Sequence, residues 1–469
     1  MSGTYSKEEI ERGIAKIYQT VLSTKNVTAR YIAVIALASL WLDAYDFSAF
    51  GFGLASFKAT FPWISPALLG LAVAAPNIGA VIGAVSGGWL TDRLGRRTMF
   101  IINMILFTVV AAAAGFAPDP YTFTILRILL GFALGADVAL GFTYIFEYLE
   151  QRQRLFWANL WQLQWYIAYE VIIFTIVLPL YFTLHSITNP LLWRTIMWVG
   201  GALGLIILLL RSKIPESILW LAYQGKLATA KRILKQTYGI DLPDVPDVDI
   251  ELRKVARDWK SAFSIFKRNK WKEIVYTFLG NFDQGFEGGA IGWYFPYIIL
   301  LLHFTGVFGS ELATAIGYVG GLVGGYLVAW LTPRIGTKVQ YVGGAYGSFI
   351  FLTLTALTLI FHWPIWLIVV WAFGFFFAHV IGPASQGMTS ATAFWGPSQR
   401  GTASGWAYQF VKWGVITGTI MMPIALATIG LSGAALILAI AAFITATVGI
   451  FTGYDARTYK PPELEEIQQ

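Results

Sequence analysis

The sequence has no cysteine and only four histidines in 469 residues. The first absence excludes a disulfide framework, a thiol nucleophile, a cysteine-ligated metal and an iron–sulfur cluster. The second argues against a histidine-rich metal site. Charge is scarce as well: 13% of residues are Asp, Glu, Lys or Arg, about half of the ~25% usual in soluble proteins. With 57% hydrophobic residues and a mean hydropathy of +0.62, an ordinary soluble enzyme, a disordered chain and a nucleic-acid binder are all excluded. A signal peptide is not expected, because the N-terminus is charged and lacks a short apolar core with a small-residue cleavage site. What is there in quantity is long apolar sequence, the mark of an integral membrane protein.

Apolar runs of about 20 residues can cross hydrocarbon as helices. Twelve are expected, at roughly 30–57, 68–92, 98–116, 121–149, 157–182, 190–211, 273–302, 310–331, 340–361, 364–391, 400–428 and 431–453. Several are long enough to tilt or kink. Of 33 Lys and Arg residues, 29 fall at the two ends and in every second loop, 14 of them between Arg211 and Lys272. The opposite loops carry only Lys58 and Arg194. By the positive-inside rule both termini and the long central segment are cytoplasmic, so the net charge of +7 reports topology, not nucleic-acid binding. The expected division is a cytoplasmic N-terminus (1–29), a six-helix bundle (30–211), a cytoplasmic linker with short helices such as 227–238 (212–272), a second six-helix bundle (273–453) and a tail (454–469). In the N-terminus, Ile10, Ile14, Ile17 and Val21 recur at helical spacing. They suggest an amphipathic helix at the membrane surface, with a solvated helix as the alternative.

Between the second and third spans, Gly88, Asp92, Arg93, Gly95, Arg96 and Arg97 form a pattern of the type G-x-x-x-D-[RK]-x-G-[RK]-[RK]. A weaker echo, Pro333, Arg334, Gly336 and Lys338, follows the eighth span, which argues for internal duplication. The first copy resembles the corresponding loop of the major facilitator superfamily. The resemblance covers the whole chain. It extends to Arg127, Gly131, Gly135, Asp137, Glu147 and Arg154 around span four, to Pro215, Glu216, Ser217, Trp220 and Leu221 after span six, and to Pro397, Arg400, Gly401 and Gly405 before span eleven. It implies an all-α membrane protein of twelve helices in two pseudo-symmetric six-helix bundles, with a midplane site and alternating access, working as a monomer. It also implies that Gly88, Asp92, Arg93, Arg96, Arg97, Glu147, Arg154, Glu216, Arg334 and Arg400 act in gating.

Charges inside a span cost about 2.5–3.5 kcal/mol each on insertion scales and are functional candidates by default. Here they are Asp43, Asp46, Asp137, Glu170, Asp283, Glu287, Arg127 and Lys412. Asp43 and Asp46 share a helical face. A carboxylate in an apolar cavity can exchange protons near working pH, and a second one beside it strengthens the effect. Asp43, Tyr45 and Asp46 resemble the D-[GA]-Y-D piece of metabolite–proton symporters, so Asp43, Asp46 and Asp137 are the proton-coupling candidates. Arg127 is expected to snorkel toward the outer face. Asp283, Gln284, Glu287, Trp293, Gln164, Gln386, Gln409 and Lys412 are the substrate-binding candidates. Asp283 and Lys412 resemble positions of phosphate symporters; Gln284 and Trp293 resemble positions of sugar porters.

The expected function is a proton-coupled carrier for a small polar solute. A sugar or polyol is preferred, since amides and aromatic faces suit hydroxyl-rich solutes. Six candidate acids against two bases argue against a dianion, but a phosphate, an organic acid or an organic cation stay open. A non-transporting sensor is the alternative class. Catalysis is not expected: there is no metal-binding cluster, no nucleophilic triad and no phosphate-cradling loop. Solute, protons and lipid are the expected partners, with no cofactor and no metal.

Overall fold

The computed structural model describes residues 5–172, 179, 183, 189–250, 259–266, 268–292, 294–295, 298–299, 302 and 306–460. The described residues are almost entirely helical: α1 (Lys7–Ser23), α2 (Val27–Thr60), α3 (Pro66–Leu94), α4 (Arg96–Gly115), α5 (Pro120–Tyr148), α6 (Gln151–Ile172), α7 (Pro190–Arg211), α8 (Ile218–Tyr223), α9 (Leu227–Tyr238), α10 (Trp271–Glu287), α11 (Gly306–Ile335), α12 (Thr337–Ile360), α13 (Leu367–His379), α14 (Ser385–Ala393), α15 (Arg400–Thr428) and α16 (Gly430–Thr452). Ten of the expected spans are long and apolar enough to cross a membrane; α6 and α10 supply the described parts of the other two. Large apolar side chains such as Ile102, Val109, Ile440 and Phe443 lie exposed on the outer helix faces, as a lipid-facing surface requires.

Local chemistry sets the helix starts. Ser65, Asp119 and Asn189 each accept a backbone N–H with the side chain, and each precedes a proline at the first helical position. The cap satisfies an orphan donor, and proline at that position gives up no helical bond. The two related loops turn at Gly95 (φ 94°) and Gly336 (φ 92°), a left-handed backbone that glycine adopts without penalty. At both, a carboxylate from the end of the same bundle sits where a Cβ would go. Glu216 Oε2 lies 2.3 Å from that position at Gly95, and Asp455 Oδ2 lies 2.1 Å from it at Gly336. Glu216 accepts from the N–H groups of Arg96 (2.8 Å) and Arg97 (3.2 Å) and so caps α4. Burial nevertheless pushes its carboxyl above the usual range. Asp455 accepts from the Thr337 N–H at 3.4 Å. The duplication suggested by the sequence thus extends to a shared capping device.

The two bundles meet along α3 with α15 and α6 with α11. A Cβ on Gly405 would lie 2.1 Å from Ala84 O, and one on Gly88 would lie 2.3 Å from Gly401 O. These helices touch backbone to backbone.

The apolar face of α1 does not lie on lipid or in water. Ile10, Ile14, Ile17 and Val21 are buried, packed on α8 and α9, and Tyr18 OH donates to Leu219 O at 3.2 Å. Lys16 Nζ reaches Asp244 Oδ2 at 2.6 Å, a hydrogen bond that holds this carboxyl below its usual range. Helical periodicity reveals an apolar face but not its partner, and the linker supplies one in Leu227 and Leu234. Truncating Ile14 to Ala should weaken this docking by about 2–5 kcal/mol. Faster proteolysis within α1, with bundle helicity unchanged, is the expected result; an unchanged cleavage rate would show that the docking does not depend on this contact.

Candidate functional site

Two of the intramembrane acids of the first bundle, Asp46 and Asp137, are paired with arginines. Asp46 Oδ2 accepts from Arg127 Nη1 at 2.6 Å, with both side chains buried. Asp137 takes a two-pronged bond from Arg211, Nη1 to Oδ1 at 2.7 Å and Nη2 to Oδ2 at 2.5 Å, and a third bond from Asn103 Nδ2 at 2.9 Å. Arg211 also contacts Ser39 Oγ and donates to Phe100 O. Two expectations fail here. Arg127 does not snorkel: burial in hydrocarbon demands a counter-charge, and Asp46 lies within reach across the α2–α5 contact. Arg211 is not a loop charge but a buried partner.

Lys412 on α15 faces this group from the second bundle. Its Nζ donates to Asn77 Oδ1 at 3.3 Å and sits 3.5 Å from the Phe47 ring centroid. It lies within electrostatic reach of Asp43 and Asp46. Asp43 is buried, with Oδ2 unpartnered among the described residues, and senses Asp137, Lys412 and Arg211. Three carboxylates therefore meet three cations. The sequence-based excess of acids does not hold at this point.

A cavity of about 110 Å³ lies between the bundles, room for several waters. Trp161, Gln162, Trp165 and Tyr166 of α6 line one side. Gln284, Tyr318, His379, Tyr408 and Lys412 are the polar side chains of the other. Three buried polar atoms on the wall, Trp161 Nε1, Gln284 Oε1 and Tyr408 OH, have no hydrogen-bond partner among the described residues. Buried polar groups are almost always satisfied, so these three mark a place for a polar solute or water.

At the loop-motif end the bundles are tied by a buried network. Arg96 forks onto Glu147, Nε to Oε2 at 3.0 Å and Nη2 to Oε1 at 2.9 Å, contacts Asp92 at 3.2 Å and donates to Pro397 O at 2.7 Å. Arg400 approaches Glu147 at 3.6 Å. Asp92 crosses to the other bundle, accepting from Thr402 N (2.8 Å), Thr402 Oγ1 (2.7 Å) and Gly401 N (3.3 Å). A carboxylate thus sits on the N-terminus of α15, where the helix dipole favours it.

Residues 26–419 match the family described as Major Facilitator Superfamily. The chain belongs to that superfamily. It is similar to the inner membrane metabolite transport protein YgcS of Escherichia coli K12, 26% identical over 52% of each chain. It is also similar to the niacin transporter NiaP of Acinetobacter baylyi, 26% identical over 59% of this chain and 61% of that one. The matched region spans only about half to three fifths of these relatives. Among solved structures, the proton:xylose symporter XylE bound to 6-bromo-6-deoxy-D-glucose superposes with a TM-score of 0.79 at 19% identity, covering 94% of this chain and 99% of that one; at that identity it shows the fold.

Against this major facilitator frame the predicted residues separate. Asp43, Asp46, Asp137 and Lys412 form one cluster, and Gln284 and Lys412 line the cavity. Gln164 does not: Gln162 takes that place and donates to Ala384 O at 2.9 Å, because two residues along a helix turn the side chain well over 90° away. Gln386 is drawn off into a bond with Gln340 (2.6 Å) and Thr332 (3.0 Å). Gln409 is half-buried on α15 outside the lining. Asp283 and Glu287 lie behind the wall, with Glu287 Oε2 2.6 Å from His379 Nδ1. Trp293 and the Glu170 side chain lie outside the described residues. Arg93 covers the Trp89 ring at 4.0 Å, Arg154 faces Phe146 at 5.3 Å and Arg334 covers Trp330 at 3.9 Å; Arg97 donates to Ser212 O. Sequence reading missed Arg211, which looks like a flanking charge, and His379, a lone histidine in an apolar run.

Replacing Glu147 by Gln removes the acid that Arg96 and Arg400 share and leaves Asp92 alone against the two guanidiniums. Loss of one partner of a buried pair costs about 3–5 kcal/mol. Ser404, fully buried beneath the network, offers a reporter, since the chain has no cysteine of its own. A Ser404→Cys protein should react slowly with a maleimide and faster once Glu147→Gln is added; equal rates would show that the network does not hold this end closed.

Proposed function

We propose that the protein is a proton-coupled secondary carrier that moves a small polar solute through the membrane by alternating access. What carries the reading is the cavity between two bundles, its wall holding unsatisfied polar atoms and its neighbour being a buried carboxylate–guanidinium pair that a proton can break. In this reading the bundles 30–211 and 273–453 rock about the cavity, while the linker 212–272 and both termini face the cytoplasm of a cell that carries the protein in its membrane. Protonation of Asp46 removes its charge and frees Arg127; the Asp92–Arg96–Glu147–Arg400 network closes the cytoplasmic end in one state and parts in the other. The protein acts on its solute without chemical conversion, as a monomer.

A sugar or polyol is the proposed solute. The amides of Gln162 and Gln284 and the faces of Trp161, Trp165 and Tyr166 suit hydroxyls and C–H faces, and the likeness to a proton:xylose symporter agrees. A second reading, an organic carboxylate, is favoured by one observation: Lys412 faces the cavity with three acids of its neighbourhood matched by three bases. The likeness to a niacin transporter fits that reading.

In sealed proteoliposomes Asp46→Asn should abolish proton-driven accumulation yet retain counterflow exchange; equal loss of both would assign Asp46 to folding or binding. Lys412→Ala should weaken binding of a carboxylate by tenfold or more, the equivalent of about 1.4 kcal/mol. Unchanged affinity with retained sugar uptake would leave the sugar reading standing alone.

A further inference from the structure

The second bundle contains a polar cluster that the coupling scheme above does not use. Asp283 and Glu287, one turn apart on α10, are both fully buried, and His379 at the end of α13 meets Glu287 at 2.6 Å. In the first bundle Asp46 and Asp137 each have an arginine. Here, among the described residues, no arginine or lysine pairs with either acid. The elements packed on α10 supply little else. From α16 comes the Thr445 hydroxyl, and from α12 come Ser348 and Tyr341. Neither α14 nor α16 has an ionisable side chain. On α15 the ionisable groups near the cavity are Tyr408 and Lys412, and Lys412 is turned to Asn77 and Phe47. Lys270 is held at the far end, on Phe394 O. Asp283 Oδ1 and Oδ2 and Glu287 Oε1 are buried beside the Thr445 and Ser348 hydroxyls, with no charged donor on them among the described residues.

Two carboxylates side by side in hydrocarbon with only an imidazole for company cannot both stay ionised. Something positive must be held there. The backbone on both sides of the contact is irregular. Glu287 is the last residue before a π-helical segment, Gly288–Gly292, and His379 is the last before another, Val380–Ala384, where Gly382 leaves helical geometry altogether. Such segments gather at functional sites and let a helix bend. A bend in either helix would part the 2.6 Å contact. Of the three groups, His379 lines the cavity.

We propose that Asp283, Glu287 and His379 form a second proton-binding site, built into the C-terminal bundle and connected to the cavity through His379. A proton arriving from cavity water adds to His379 Nε2, and the proton on Nδ1 passes to Glu287 Oε2. The ring is left neutral in its other tautomer, and the charge of one carboxylate is cancelled; release runs the same steps backward. An imidazole suits this relay because each nitrogen can give or take a proton. The use of the site in transport rests on the proton-coupled reading; its existence as a proton site does not.

Infrared difference spectra of the purified protein test the site directly. The band of a protonated carboxyl shielded from solvent should be present in the wild type and in Asp46→Asn, and weaker in Glu287→Gln and Asp283→Asn. Its pH response should shift in His379→Gln. A band unchanged in both carboxylate variants would overturn the proposal. So would a band that vanishes on adding sodium, since the site would then hold a metal cation. Carriage is read separately as protons moved per solute in proteoliposomes. Glu287→Gln should carry fewer than the wild type while still accumulating solute, and an unchanged ratio would remove the site from the transport cycle. If the wild type moves no protons at all while the band behaves as expected, the coupling reading fails and the site stands.

Discussion

Hydrocarbon does not tolerate an unpaired charge, and most of what is distinctive in this structure follows from that constraint. Asp46 and Arg127, Asp137 and Arg211, and Glu147 and Arg96 are each held together where neither member would be stable alone. Such pairs are poor sources of net stability, because desolvation offsets the attraction. They are good switches for the same reason. Adding a proton to one member, or drawing the helices apart, changes the balance by an amount comparable to a conformational step.

The two bundles manage this constraint differently. The first assigns an arginine to each of two carboxylates and leaves Asp43 to the field of Lys412 from across the cavity. At the acidic cluster of the second, among the described residues, an imidazole stands where the first has a guanidinium. Where the fold repeats, it repeats in backbone and caps: Gly95 with Glu216 and Gly336 with Asp455 do the same work in the two halves. At the buried charges the halves have diverged. Duplication thus fixes the scaffold while single side chains set the chemistry.

The Asp92 and Arg96 network ties the bundles at the loop-motif end, backbone contact between α3 and α15 brings the halves together, and the cavity lies between α6, α10, α11, α13 and α15. The α1 helix, packed on the linker instead of on lipid, adds weight to the same end through Tyr18 and Leu219.

The sequence by itself determined the solvent of this protein, its helices and the inventory of its buried charges. Hydropathy, cap residues and loop charges are local properties that survive without a structure, and so the spans, the α9 segment and the acids of α2, α5 and α10 were legible. Which charge meets which was not. Asp46 finds Arg127 from 81 residues away and Asp137 finds Arg211 from 74, and no local pattern encodes that meeting. The same holds for Gln162 in place of Gln164, a matter of helix rotation against a neighbour, and for His379, whose role exists only because α13 brings it to Glu287. Tertiary structure decided these points because the energy of a buried charge depends on what lies within a few ångströms of it, and in this fold those neighbours come from other helices.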